Sequence, residues 1–174
     1  MTDVDRRSVM SGVAAGLFIR VSSGASVGAA APPFTLTTLD RRTVSSADLR
    51  GSVIVLNYWA TWCAPCRVEM PMMDAYLRRH PGQDLKIFAI GSEDSVPPSE
   101  LAPLAAAFVF PLVTKFSGRG YGDKGALPTN YVIDRGGIVR HAAAGAFDSA
   151  SFDALIWPLL AVPKPPPTAA ASPT

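Results

Sequence analysis

The chain has 174 residues, of which 48% are hydrophobic and 17% are charged, and these values fit one globular domain with a packed core. Its 16 basic and 14 acidic residues are spread along the sequence, so no basic run is available to follow a nucleic-acid backbone, and we expect no nucleic-acid partner. No uninterrupted apolar run approaches the roughly 20 residues that a membrane-spanning helix needs.

Residues 1–31 have the composition of an export signal rather than of a folded segment. Arg6 and Arg7 form a charged start, a mildly apolar stretch follows over residues 9–21, and small residues end at Ala31. This is the order of a secretory signal that is cleaved after small residues, and the paired arginines resemble the twin-arginine type, although they would also serve simply to charge a leader. Because Arg20 interrupts the apolar stretch, an alternative is that the leader is not cleaved and tethers the protein to a membrane. The expected location is the periplasm or another exported compartment.

The folded unit is expected to run from Pro32 to Leu160, as one domain. Residues 161–174 follow it and contain five prolines among small residues. Such a composition cannot bury enough surface to become ordered, so this stretch is predicted to be a disordered tail.

Within these limits, strand and helix patterns alternate. Residues 34–36 and 43–44 predict a short hairpin, the apolar run 52–59 predicts a buried central strand, and a helix with Pro71 inside it follows to Arg79. The later predictions are a strand at 85–91, an Ala-rich helix at 98–107, an extended piece at 110–115, a hairpin over 129–145 and an amphipathic helix at 148–160. This order predicts an α/β sandwich with a parallel part and an antiparallel edge.

The two cysteines of the chain, Cys63 and Cys66, lie where the central strand gives way to the helix. A disulfide across so few residues removes little entropy from the unfolded chain, so the pair is better explained by chemistry than by stability. A helix N-terminus presents free N–H groups to Cys63, and such positions lower a thiol pKa from about 8.5 to about 3.5–7.5. Cys63 is therefore the predicted nucleophile and Cys66 the resolving thiol, while Pro65 stiffens the first helical turn.

These residues resemble a thioredoxin fold, and in particular the TlpA/ResA-like (DsbE-like) family of exported thiol-disulfide oxidoreductases. The resemblance rests on WCAPC after Trp59, on Pro71 five residues beyond Cys66, and on LPT before the last hairpin, and it spans about residues 32–160. It implies a thioredoxin-like three-layer α/β/α sandwich with a mixed central sheet and an N-terminal β-hairpin.

The same resemblance implies a substrate site around the cysteine pair. Trp62 and Pro65 are expected to contact the substrate, and Pro128 is expected to be cis and to face the disulfide. The backbone of Leu127 would then pair with an extended substrate segment. Taken without the resemblance, Pro128 would be read as a trans proline that opens a strand, because cis X–Pro bonds are uncommon.

Two further positions indicate the subtype. Thioredoxins have a buried aspartate six residues before the first cysteine, and this chain has Asn57 there, which cannot take a proton. Glu69 lies three residues beyond Cys66 on the same helix face, where the ResA-like subgroup has a glutamate. If it is partly buried, Glu69 could have a raised pKa and relay the proton of Cys66; as a solvated helix residue it would have no such role.

The expected function is that of an exported thiol-disulfide oxidoreductase that needs no cofactor besides its own disulfide. By resemblance, it would reduce protein disulfides, as in cytochrome c maturation, and receive electrons from a membrane donor. One alternative is an oxidant of secreted proteins, and another is a non-catalytic scaffold or metal-binding module. Zinc would need two ligands beyond the cysteines, and only His80 and His141, both expected at the surface, are available, so no metal site is predicted.

Overall fold

The computed structural model describes residues 24–93 and 96–164, so most of the predicted leader and most of the predicted tail lie outside the described residues. Within the described part, the elements in chain order are β1 (Phe34–Thr38), β2 (Thr43–Ser45), β3 (Val53–Trp59), α1 (Ala64–Arg79), β4 (Leu85–Gly91), α2 (Pro98–Ala107), β5 (Leu112–Gly118), β6 (Thr129–Ile133), β7 (Val139–Ala144) and α3 (Ser149–Ala161). Each element predicted from the sequence is present. None of the described helices is long and apolar enough to cross a membrane.

The strands form one mixed sheet in the order β2-β1-β5-β4-β3-β6-β7. β3 runs parallel to β4, and β4 runs parallel to β5, whereas the other neighbours are antiparallel. The N-terminal hairpin extends one edge of the sheet, and the β6–β7 hairpin forms the other. This topology confirms the predicted mixed sheet and N-terminal hairpin, and it places the carboxyl end of β3 at the start of α1.

Two hydrophobic cores lie on opposite faces of the sheet. Successive residues of β3 point to opposite faces, so Val55 and Trp59 join the first core while Leu56 and Tyr58 join the second. All three helices contribute to the first core. The second core holds no residue of the described helices and is covered by segments between strands, including the loop that carries Tyr121. On that face, the outer layer of the sandwich is therefore built from loops.

The N-terminal segment, defined here as residues 24–31, packs against the second core, although the sequence assigned it to the leader. Ala25 is buried in that core, and its N–H donates to the carbonyl of Gly120 at 3.1 Å. Val139 of β7 both accepts a backbone hydrogen bond from the segment and donates one to it, at 2.8 and 3.0 Å. The folded part therefore begins before the predicted boundary at Pro32. Whether residues 1–23 direct export stays a prediction.

We expect that a chain beginning at Pro32 will be less stable than one beginning at Gly24. The shorter chain loses the four backbone hydrogen bonds that join residues 24–31 to the rest of the domain, and it exposes part of the second core. Because ordering the segment also costs conformational entropy, the expected loss is of the order of 1–3 kcal/mol. Urea unfolding of the two chains measures the difference. Equal midpoints and slopes would show that the segment contributes nothing to stability.

Candidate active site

Cys63 and Cys66 form a disulfide at the N-terminus of α1, with their Cα atoms 5.3 Å apart. Cys63 is the N-cap residue with an extended backbone, and its sulfur accepts the N–H of Cys66 at 3.3 Å. The predicted place of Cys63 at the junction of strand and helix is thus confirmed. Once the disulfide is reduced, the free N–H groups and the dipole of the first helical turn would stabilise a thiolate at this position.

The disulfide is buried beneath an exposed rim. Cys63 is 3% exposed and Cys66 is fully buried, whereas the preceding Trp62 is 69% exposed. Ala64 and Pro65, between the two cysteines, are also exposed. The exposed residues that flank the two sulfurs in the chain therefore include Trp62, Ala64 and Pro65.

A carboxylate holds the loop that leads to Cys63. Glu93, which follows β4, accepts the N–H of Thr61 at 3.0 Å with one oxygen and the hydroxyl of Thr61 at 3.1 Å with the other. The N–H of Cys63 in turn donates to the carbonyl of Ala60 at 3.1 Å. Neither Thr61 nor Glu93 was singled out from the sequence, because their contact joins residues 32 positions apart.

The Leu127–Pro128 peptide bond is cis, as the resemblance implied. Leu127 packs against the first core, which contains both cysteines. The carbonyl of Pro128 accepts the N–H of Gly145 at 2.8 Å, and the hydroxyl of Thr129 donates to Ala126 at 2.7 Å. These bonds fix the backbone around Pro128, and the expected pairing of Leu127 with a substrate stays a prediction.

Glu69 is buried within α1, with only 1% of its surface exposed. Its Oε1 accepts the backbone N–H of Phe147 at 2.7 Å and the amide of Asn130 at 2.8 Å, and its Oε2 accepts the amide of Asn57 at 2.8 Å. This geometry excludes a solvated helix glutamate. It places an ionisable group three residues beyond Cys66 on the same helix, which brings the two side chains to the same helix face.

Burial raises the pKa of Glu69 above that of an ordinary glutamate, and the hydrogen bonds from Phe147, Asn130 and Asn57 offset part of this rise. Desolvation penalises the charged form, whereas donors that face the carboxylate favour it. The two effects leave a carboxyl group that takes up a proton more readily than an exposed glutamate does.

Asn57 and Asn130 form a buried asparagine pair on neighbouring strands, directly opposite each other in β3 and β6. The amide nitrogen of Asn57 also donates to the side-chain oxygen of Asn130 at 2.8 Å, and that of Asn130 to the carbonyl of Gly145 at 3.3 Å. From the sequence, Asn57 was identified only as a group that cannot take a proton, and Asn130 was not identified. The available signal was an asparagine within a predicted strand, just before the apolar residues Tyr131 to Ile133.

The two histidines differ from the prediction that both lie at the surface. His80 and His141 are each partly buried, with ring contacts to Tyr76 at 4.5 Å and to Phe147 at 4.8 Å. Aromatic packing accounts for this burial, and the burial lowers the pKa of His141. Across the described ranges, no group of three or more His, Cys, Asp or Glu side chains is arranged to hold a metal ion.

Comparison with known proteins places this geometry in a family. Residues 27–142 match the model of the AhpC/TSA family. The chain is similar to the thiol-disulfide oxidoreductase ResA of Geobacillus thermodenitrificans, with 33% identity over 133 residues that cover 74% of this chain and 75% of the relative. It is also similar to the thioredoxin-like protein YneN of Bacillus subtilis, with 34% identity over 128 residues, or 70% of this chain and 74% of the relative.

Among solved structures, the fold is similar to that of a thiol:disulfide interchange protein of the thioredoxin family from Chlorobium tepidum. The TM-score is 0.61 at 27% identity, and the match covers 75% of this chain and 95% of that one. The mixed sheet, the cis proline and the cysteine pair at a helix start are features that the resemblance to a thioredoxin fold implied. The chain therefore belongs to the AhpC/TSA family of thioredoxin-like proteins, and it is a thiol-disulfide oxidoreductase related to ResA.

Proposed function

We propose that this oxidoreductase reduces disulfide bonds of exported protein substrates. The observation that carries the proposal is the position of Cys63, which caps α1 beneath the exposed Trp62 while Cys66 is fully buried behind it. A thiolate at Cys63 attacks one sulfur of a substrate disulfide, and the other substrate sulfur leaves as a thiolate. Cys66 then attacks Cys63, the substrate leaves with two thiols, and the Cys63–Cys66 disulfide carries the oxidation.

In this proposal Glu69 accepts the proton of Cys66. A thiol that is fully buried tends to stay protonated, because burial disfavours the thiolate. Cys66 therefore needs a base before it can attack the mixed disulfide, and Glu69 is a carboxyl on the same helix face. Asn57 occupies the place of the buried acid of thioredoxins and cannot serve as the base itself.

Export is part of the proposal and rests on the leader sequence, in which Arg6 and Arg7 precede an apolar stretch. By family resemblance, the substrates would include haem-attachment cysteines in cytochrome c maturation, with electrons supplied by a membrane donor. Oxidation of secreted proteins is the competing direction. The Ala64-Pro65 spacer lacks the histidine found between the cysteines of DsbA-like oxidants, which favours reduction.

Export through the twin-arginine route is tested by replacing both Arg6 and Arg7 with lysine. We expect the variant to accumulate as a precursor in the cytoplasm, because this route reads the paired arginines rather than their charge. Cell fractionation and immunoblotting against the unaltered chain measure the distribution. Normal export of the lysine variant would remove the twin-arginine assignment.

The direction of electron flow is tested by the reduction potential of the Cys63–Cys66 couple. We expect a value closer to that of thioredoxin, about −270 mV, than to that of DsbA, about −120 mV. Equilibration with buffers of dithiothreitol or glutathione at set ratios, followed by alkylation and mass measurement, gives the potential. A value close to that of DsbA would favour the oxidant instead.

The role of Glu69 is tested with Glu69→Gln, which we expect to slow the attack of Cys66 on a mixed disulfide by roughly 100-fold at pH 7. Cys63 is first linked to thionitrobenzoate, and release of the coloured thiol then reports attack by Cys66. Asp74→Asn is the matched control, since Asp74 is another buried carboxylate on α1 that binds Arg78 and Val109 instead.

Cys66→Ser should keep the mixed disulfide intact, so its rate of thionitrobenzoate release gives the background of this assay. The glutamine side chain also turns one acceptor into a donor that faces Asn57, so unfolding is measured in parallel. A Glu69→Gln variant that releases thionitrobenzoate at the unaltered rate would return Glu69 to a purely structural role.

A further inference from the structure

We propose that Asn130, acting together with Asn57, is a positioning residue for the reaction, and that it holds Glu69 so that Oε2 is the atom that accepts the proton of Cys66. This inference rests on the proposed role of Glu69 as the base. Asn130 does not touch the cysteines in this account and acts only through the carboxylate.

The first support is the number of elements that converge on one side chain. Glu69 comes from α1, Asn57 from β3 and Asn130 from β6, and the N–H of Phe147 comes from the segment before α3. A free glutamate side chain rotates about three bonds, and here both of its oxygens are bound at 2.7–2.8 Å. The orientation of the carboxylate is therefore set by groups outside its own helix.

The second support is that only one arrangement of the amides suits a carboxylate. An ionised carboxylate only accepts hydrogen bonds, so both asparagines must turn their NH₂ groups toward it. The link from Asn57 to Asn130 uses the second hydrogen of the Asn57 amide, and the Asn130 amide is also held by Gly145. Each asparagine thus holds the other in the orientation that favours the charged form of Glu69.

The third support is the asymmetry between the two carboxylate oxygens. Oε1 accepts two hydrogen bonds, from Phe147 and Asn130, which occupy both of its lone pairs, whereas Oε2 accepts one, from Asn57. A proton that leaves Cys66 therefore binds at Oε2, where a lone pair is free. Asn130 contributes by keeping Oε1 occupied and Oε2 available.

Few other ionisable groups face this site. Cys66 lies on the same helix, His141 of β7 contacts the ring of Phe147, and Asp148 follows Phe147 at the start of α3. Burial lowers the pKa of His141, and hydrogen bonds from Ser151 lower the pKa of Asp148. No ion pair in the described part of the chain includes Glu69.

The test is the pH profile of thionitrobenzoate release from Cys63 in the full-length Asn130→Ala variant. Loss of one donor raises the pKa of Glu69, so we expect the acidic limb of the profile to move to higher pH. At pH 7 the release rate should fall roughly tenfold, the size of effect that one hydrogen bond to a charged group carries. Val132→Ala, on the same face of β6, is the control: it should lower stability and leave the profile in place.

A double-mutant cycle with Glu69→Gln decides whether Asn130 acts through the carboxylate. In the Glu69→Gln background, Asn130→Ala should cause no further slowing. Equal slowing in both backgrounds would overturn the inference, as would an unshifted profile for Asn130→Ala alongside a slow Glu69→Gln. If Glu69→Gln itself releases thiol at the normal rate, the proposed base fails, and the inference fails with it. Should Asn130→Ala not fold, Asn130→Ser is measured with the same expected results.

Discussion

The burial of one ionisable side chain is the constraint on which the functional end of this molecule depends. A carboxylate removed from water is strongly disfavoured unless donors surround it. Glu69 meets this condition with two side-chain amides and one backbone N–H, from three separate parts of the chain. Accordingly, β3 and β6 each contain a buried asparagine at the same level of the sheet. The packing of α1 on the sheet therefore also brings the hydrogen-bond donors of β3 and β6 to the carboxylate of Glu69.

The carboxyl end of β3 also sets the positions of the two cysteines. β3 ends at Trp59, and the loop after it is held by two hydrogen bonds from Thr61 to Glu93. α1 begins immediately after Cys63. Cys63 thus lies at a helix N-terminus, while Cys66 is fully buried within the helix, three residues before the buried Glu69. Different surroundings for two identical groups allow each to have its own role.

Local patterns predicted much of this arrangement. The apolar run before Cys63, the helix after it, the hairpin turns and the cysteine pair are all short-range features, and the structure has them where the sequence placed them. The cis bond at Pro128 required the family resemblance. Asn130 and Glu93 were missed because their partners, Glu69 and Thr61, lie 61 and 32 positions away in the sequence. A single asparagine or glutamate does not indicate which distant residue it will bind. The N-terminal segment was missed because backbone hydrogen bonds, which any sequence can make, hold it in place.

The near-complete burial of both sulfurs has a consequence for how the protein coexists with other redox couples. Exchange requires a thiolate to reach a disulfide sulfur in line, so access sets the rate as firmly as the potential sets the equilibrium. Cys63 is 3% exposed and Cys66 is not exposed at all, so small thiols meet a shielded bond. Exchange with a small thiol therefore requires that Cys63 first become uncovered, so this disulfide is expected to exchange more slowly than an exposed one of the same potential.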